Sequence, residues 1–181
     1  MTTGRAVWAL RHAKAASEAV DDHSRPLTGR GRRQATELAR HLSASPPRGA
    51  PLPTVVVCSS ARRARQTADL VLPSLGPGAA LFVEGALYHA DADDVLDRLR
   101  ELSDDDTSVM IVGHNPTLHD LTLLLTSAGD VAGRASLERG FPTAALAVVA
   151  LPAPSWAALS AGTGTLLDLW TPAPRPAAAS G

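Results

Sequence analysis

Arg11 and His12 stand side by side where the apolar run Ala6–Leu10 ends, and their types suit one task. An imidazole nitrogen can attack phosphorus while a fixed guanidinium neutralises the phosphate oxygens, gripping them as a planar fork. An Arg-His dipeptide alone says little. Its weight comes from two later segments of similar design, Cys58-Ser59-Ser60-Ala61-Arg62-Arg63 and Val112-Gly113-His114-Asn115-Pro116, each of which also follows an apolar run.

The elements that must position these residues read as alternating strands and helices. Ala6–Leu10, Thr54–Cys58, Ala80–Val83 and Ser108–Val112 are apolar and without polar alternation, which predicts strands covered on both faces. Thr28 can cap a helix with the stripe Ala35, Leu38, Ala39 and Leu42. Ser59 or Ser60 can cap a second helix through Ala64, Ala68 and Val71. Asp91 or Asp93 can start a third that turns Val95, Leu96, Leu99 and Leu102 inward. A fourth begins at Asn115-Pro116, with Pro at its first position, and buries Leu118, Leu121, Leu124 and Leu125. Ala144–Leu151 and Thr165–Trp170 predict two further strands, paired as a hairpin on one edge of the sheet. The fold class is therefore α/β: a three-layer α/β/α sandwich, mostly parallel, with a C-terminal antiparallel hairpin. Residues 1–170 read as one domain, followed by a Pro/Ala-rich tail, 171–181, expected to be disordered.

In an open α/β sheet, ligands bind beyond the carboxyl ends of the strands. The first, second and fourth strands end at Arg11-His12, at Ser59 to Arg63, and at Gly113-His114-Asn115, so both histidines and the arginines should meet on one rim. Arg63 would lie in a first helical turn, where unpaired N–H groups favour an anion. Arg25, Asn115 and Ser59 are candidate substrate-binding residues around that rim.

Composition excludes several other tasks. The 181-residue chain has a net charge of -1, which gives no reason to expect nucleic acid or an anionic membrane as partner. No run approaches the roughly 18 apolar residues of a membrane span. No secretory leader is visible, and the single Cys58, which reads as a small buried hydrophobe, cannot form an intramolecular disulfide. A cytoplasmic location is expected. His114 and His119, five apart, do not share a helix face, and neither a metal nor a cofactor is expected. Asp21 and Asp22 read as solvated.

Leu10-Arg11-His12-Ala13, Arg63-Ala64-Arg65-Gln66-Thr67 and Gly113-His114-Asn115-Pro116 resemble, in order, the three signatures of the histidine phosphatase superfamily, which includes the cofactor-dependent phosphoglycerate mutases. The likeness runs from about residue 5 to 125. Small size, Arg-His-Ala, and the segment Asp22-His23-Ser24-Arg25-Pro26-Leu27-Thr28 bring it nearest to the SixA-type branch, which acts on phosphohistidine. The resemblance implies a phosphoglycerate mutase-like fold. It further implies His12 as the phosphorylated nucleophile, Arg11 and Arg63 as phosphate-binding arginines, and His114 as the second histidine at the transferred group. Arg62 competes with Arg63, and the family spacing Arg-x-x-Gln-Thr selects Arg63.

Family members that cleave esters carry a carboxylate acid after the third strand. Here Glu84-Gly85-Ala86-Leu87-Tyr88-His89-Ala90-Asp91 offers Glu84, His89 and Asp91 as possible proton donors, none in the ester-cleaving position. An alkoxide, with a conjugate acid near the pKa of water at about 15.7, needs a proton to leave. An imidazole, at about 6.5, leaves more easily. The expectation is a phosphatase without metal, acting through His12 on protein phosphohistidine. The alternatives are a small-molecule phosphatase for sugar phosphates or nucleotides, and a phosphate-binding regulatory module without turnover. The partner is thus a phosphorylated protein or a small phosphorylated molecule. The oligomeric state is not legible.

Overall fold

A computed structural model of the chain describes residues 4–173. Seven strands form one sheet: β1 (Arg5–Arg11), β2 (Val55–Ser59), β3 (Ala80–Glu84), β4 (Ser108–Gly113), β5 (Thr126–Gly129), β6 (Leu146–Leu151) and β7 (Gly164–Trp170). Their spatial order is β3-β2-β4-β1-β6-β7-β5. β1, β4, β2 and β3 are mutually parallel, β6 runs antiparallel to both β1 and β7, and β7 pairs in parallel with β5.

The alternation of side chains along each strand splits the core in two. On one face Ala6, Trp8, Leu10, Val56, Cys58, Met110 and Val112 pack against α1 (Gly29–Ala44) and α2 (Arg62–Val71) through Ala35, Leu38, Leu42, Ala64, Ala68 and Val71. On the other, Val7, Ala9, Val57, Val109 and Ile111 meet α3 (Ala92–Arg100), α4 (Thr117–Leu125) and α5 (Val131–Arg139). The result is the expected three-layer α/β sandwich.

Several details depart from expectation. β3 is not covered on both faces; it is an edge strand, and Phe82 and Val83 are 52% and 48% exposed. The hairpin is real but is not the edge, because β5 pairs outside β7. Neither Ser59 nor Ser60 caps α2: Ala61 holds that position, with no side-chain hydrogen bond, and Ser59 ends β2 instead. Pro116 precedes α4 as its N-cap, after a cis Asn115–Pro116 bond, rather than serving as its first residue. Two expected caps do form. Thr28 Oγ1 accepts from Gly31 N at 3.0 Å, and Asp91 makes a reciprocal capping box with Asp94. Of the tail, 174–181 lie outside the described residues.

Candidate active site

Strand register brings the rim together. Arg11 lies opposite Gly113 across the β1–β4 pair, so His12 and His114 occupy the positions just past the ends of neighbouring strands. The His12 N–H donates to the Gly113 carbonyl at 2.9 Å, and the two rings sit 5.2 Å apart. α2 starts beside them and turns Arg63 inward, 5% exposed, while Arg62 faces solvent.

A guanidinium cannot accept a hydrogen bond, and that settles both imidazole tautomers. Arg63 Nε donates to His12 Nε2 at 3.3 Å, so Nε2 carries the lone pair and Nδ1–H donates to the Ala13 carbonyl at 2.8 Å. Arg63 Nη2 lies 3.3 Å from His114 Nδ1, so Nδ1 accepts and Nε2–H donates to Ser59 Oγ at 2.8 Å. Ser59 is fully buried and acts here as the acceptor that orients His114.

Electrostatics keep both rings neutral. Burial, above all, pushes His12 down to about 3, with lesser contributions from His114, Arg63 and Arg11; the flanking arginine is thus the smaller cause. Burial likewise lowers His114 to about 4, and Arg63 adds to it. Burial also lowers Arg11. Arg11 Nη1 and Asn115 Nδ2 each donate to the Phe141 carbonyl at 2.8 Å, and Arg11 Nε and Asn115 Oδ1 are buried without a partner among the described residues.

The loop between β1 and α1 is stapled to α2. Thr67 Oγ1 accepts from Ala13 N at 3.0 Å and donates to the Arg63 carbonyl at 2.7 Å, while Gln66 Oε1 accepts from Leu27 N at 2.7 Å. These are the Gln and Thr that follow Arg63 in its motif, so the same turn of helix supplies the cation and fixes the loop carrying His12.

Asp22 is not simply solvated. Its Oδ2 accepts from Arg63 Nη2 at 3.0 Å and from the Tyr88 hydroxyl at 2.6 Å; its Oδ1 accepts from Arg25 Nε at 2.8 Å; its carbonyl accepts from Arg63 Nη1 at 2.7 Å. These donors, Tyr88 foremost, hold its carboxyl well below the usual carboxylate range. Tyr88 lies edge-on to His114 at 5.6 Å, to His23 at 4.9 Å and to His89 at 4.4 Å. Asp22 opens the SixA-like segment but reads there as solvated, and no motif singles out Tyr88. The signal that could have found them is weak: the chain's single tyrosine, in a chain only 3% aromatic, lies in the segment searched for an acid.

The remaining candidates point elsewhere. Glu84 is held by Arg98 through contacts of 2.8, 3.0 and 3.1 Å, and Asp91 is committed to the start of α3. Cys58 is fully buried, and burial pushes its thiol up to about 12. His119 Nε2 donates to the Leu137 carbonyl at 2.7 Å, away from the rim. Among the described residues, no group of three or more His, Cys, Asp or Glu gathers as a metal site, and no helix is long and apolar enough to cross a membrane.

Known proteins share this architecture. Residues 7–88 match the family model of the histidine phosphatase superfamily, branch 1. An uncharacterised protein of Mycobacterium tuberculosis is 34% identical over 168 residues, covering 90% of this chain and 99% of its own. Among solved structures, a candidate phosphohistidine phosphatase SixA from Nakamurella multipartitia superposes with a TM-score of 0.77 at 30% identity, covering 93% of this chain and 96% of that one. A protein histidine phosphatase SixA complexed with tungstate gives 0.68 at 25% identity, covering 91% and 95%. With the family model, these similarities and the shared fold agreeing, the chain belongs to the histidine phosphatase superfamily, in its SixA-type branch.

Proposed function

We propose that the chain is a phosphohydrolase that takes a phosphoryl group onto His12 Nε2, and that its substrate is protein phosphohistidine. One observation carries the first half: a buried, neutral imidazole whose Nδ1–H is spent on a backbone carbonyl, leaving the Nε2 lone pair facing Arg63 and His114. A new P–Nε2 bond forms as the substrate's bond to phosphorus breaks, and the leaving group departs with the electron pair. Water then attacks phosphorus, the P–Nε2 bond breaks, and inorganic phosphate leaves with His12 restored. Arg11, Arg63 and His114 act by positioning and charge stabilisation, which is most of what phosphoryl transfer requires of a protein. The tetrahedral oxyanion in the tungstate-bound SixA relative is of the kind such a pocket would hold.

The proton inventory supports that substrate class. Glu84 and Asp91 are engaged elsewhere and Asp22 is held ionised, so none of these three carboxyl groups stands ready to protonate an alkoxide, and His89, packed on Tyr88, is the candidate donor left for an ester. A P–N substrate protonated on its other ring nitrogen releases a neutral imidazole, whose conjugate acid has a pKa of about 6.5, and needs least help. The test assays wild type and His12→Ala on a phosphohistidine peptide, phosphoramidate and a panel of phosphate monoesters. The expected result is turnover of the P–N substrates, loss of at least about 10³-fold in His12→Ala as for other removed nucleophiles, and acid-labile radiolabel on His12 alone. Ester turnover at matching rates would sink the substrate assignment, and label on another residue would sink the mechanism.

A further inference from the structure

The side chain that occupies Arg63 and Arg25 is itself an anion. Asp22 presents one carboxylate oxygen to Arg63 and Tyr88 and the other to Arg25, and its carbonyl takes the second Arg63 terminal nitrogen. Arg63 spends its Nε–H on the His12 lone pair at the same time. Both Arg63 terminal nitrogens that a phosphoryl group would need are therefore engaged by a group of the same chemistry, and the nucleophile is capped by the same guanidinium.

We infer that Asp22 is a specificity-determining positioning residue, a built-in competitor for the phosphoryl site that weakens the binding of free inorganic phosphate and so favours its release. The inference rests on the reading of His12, Arg11, Arg63 and His114 as the phosphoryl pocket. Phosphate brings only its own oxygens, and must displace a carboxylate that the arginines already hold well. A phosphorylated protein brings contacts from the rest of its surface, and these can offset the displacement. After hydrolysis those contacts leave with the dephosphorylated protein, and Asp22 can retake the guanidinium groups. The loop is built to hold the carboxylate there: Asp21 Oδ1 accepts from Ser24 N at 2.8 Å, and Arg25 Nη1 donates to the Ala16 carbonyl at 2.9 Å.

The test measures inorganic phosphate binding by calorimetry, which needs no turnover, in wild type, Asp22→Asn and Tyr88→Phe. Asp22→Asn should bind phosphate at least about tenfold more tightly, the scale of one lost charge-assisted contact to the competitor. Tyr88→Phe loosens the carboxylate without removing it and should move affinity the same way by less, keeping the proposal testable should Asp22→Asn fold poorly. In steady state, Asp22→Asn should show a lower Ki for phosphate and a lower kcat as release slows, and phosphate-bound crystals of the wild type should show Asp22 withdrawn from Arg63. Wild-type binding with equal or weaker binding in both variants overturns the role of Asp22 and leaves the pocket assignment standing. Absence of phosphate binding in all three proteins would remove the pocket assignment, and this inference with it.

Discussion

His12 and His114 are neutral because they are buried, and that has a consequence for acid stability. Their native pKa values, about 3 and about 4, lie below the ordinary value of 6.5, so between those limits the unfolded chain binds protons that the native one does not. Stability from these groups is therefore fully present above pH 6.5 and falls as pH drops toward 4, by about 1.4 kcal/mol per pH unit for each ring. Melting curves from pH 7.5 to 4.5 check this: His12→Asn should flatten the acid slope by about one proton's worth. The acid limb of kcat/KM, which reports the free enzyme, should lie well below pH 6.5, as the behaviour of a coupled pair. At this scale the motif residues were legible, since apolar runs delivering Arg, His and Ser to strand ends already imply a shared rim. Asp22 was not, because an aspartate in a polar loop has the same sequence signature whether it meets water or two guanidinium groups.

At the scale of elements, the loop from β1 to α1 depends on close packing against α1. A Cβ placed on Gly31 would stand 2.1 Å from the Lys14 carbonyl oxygen, a backbone atom that cannot swing aside. Gly31→Ala should cost about 1–3 kcal/mol, the usual range for overpacking. It should also lower kcat more than that loss alone implies, since Lys14 is two residues from His12; denaturant titration and steady-state kinetics read the two effects separately. Periodicity exposed the strands β1, β2 and β4 and the helices α1 to α4, because each carries a continuous apolar face. It missed β5, whose Thr-Ser-Ala-Gly sequence has no apolar face, and α5, of whose residues only Leu137 is fully buried. It misjudged β3, where Leu81, Phe82 and Val83 look like core and lie on a partly exposed edge.

Across the whole molecule, one cluster ties the long β6–β7 connection to the base of the sheet. Trp156, fully buried, donates from Nε1 to the Asp106 carbonyl at 2.6 Å, and its backbone N–H donates to Asp104 Oδ1 at 2.9 Å. Arg5 lies 5.3 Å over its ring and pairs with Asp104. Trp156→Ala should cost about 3–5 kcal/mol, as large aromatic truncations in cores do. Because this cluster sits at the start of β1 and of β4, away from His12, the variant should keep its kcat at temperatures where it remains folded. Activity measured below the shifted melting transition separates that outcome from damage to the site.

β1, which ends one residue before His12, lies in the middle of the sheet, paired on both sides, and Asp22 and Tyr88 lie on connecting segments. In native-state fluctuations, peripheral segments open before doubly paired strands do. The chain can therefore breathe at the rim, letting Asp22 exchange places with a ligand, while His12 and His114 keep their spacing. His12, proposed to attack phosphorus, stays anchored in the part of the molecule least able to drift.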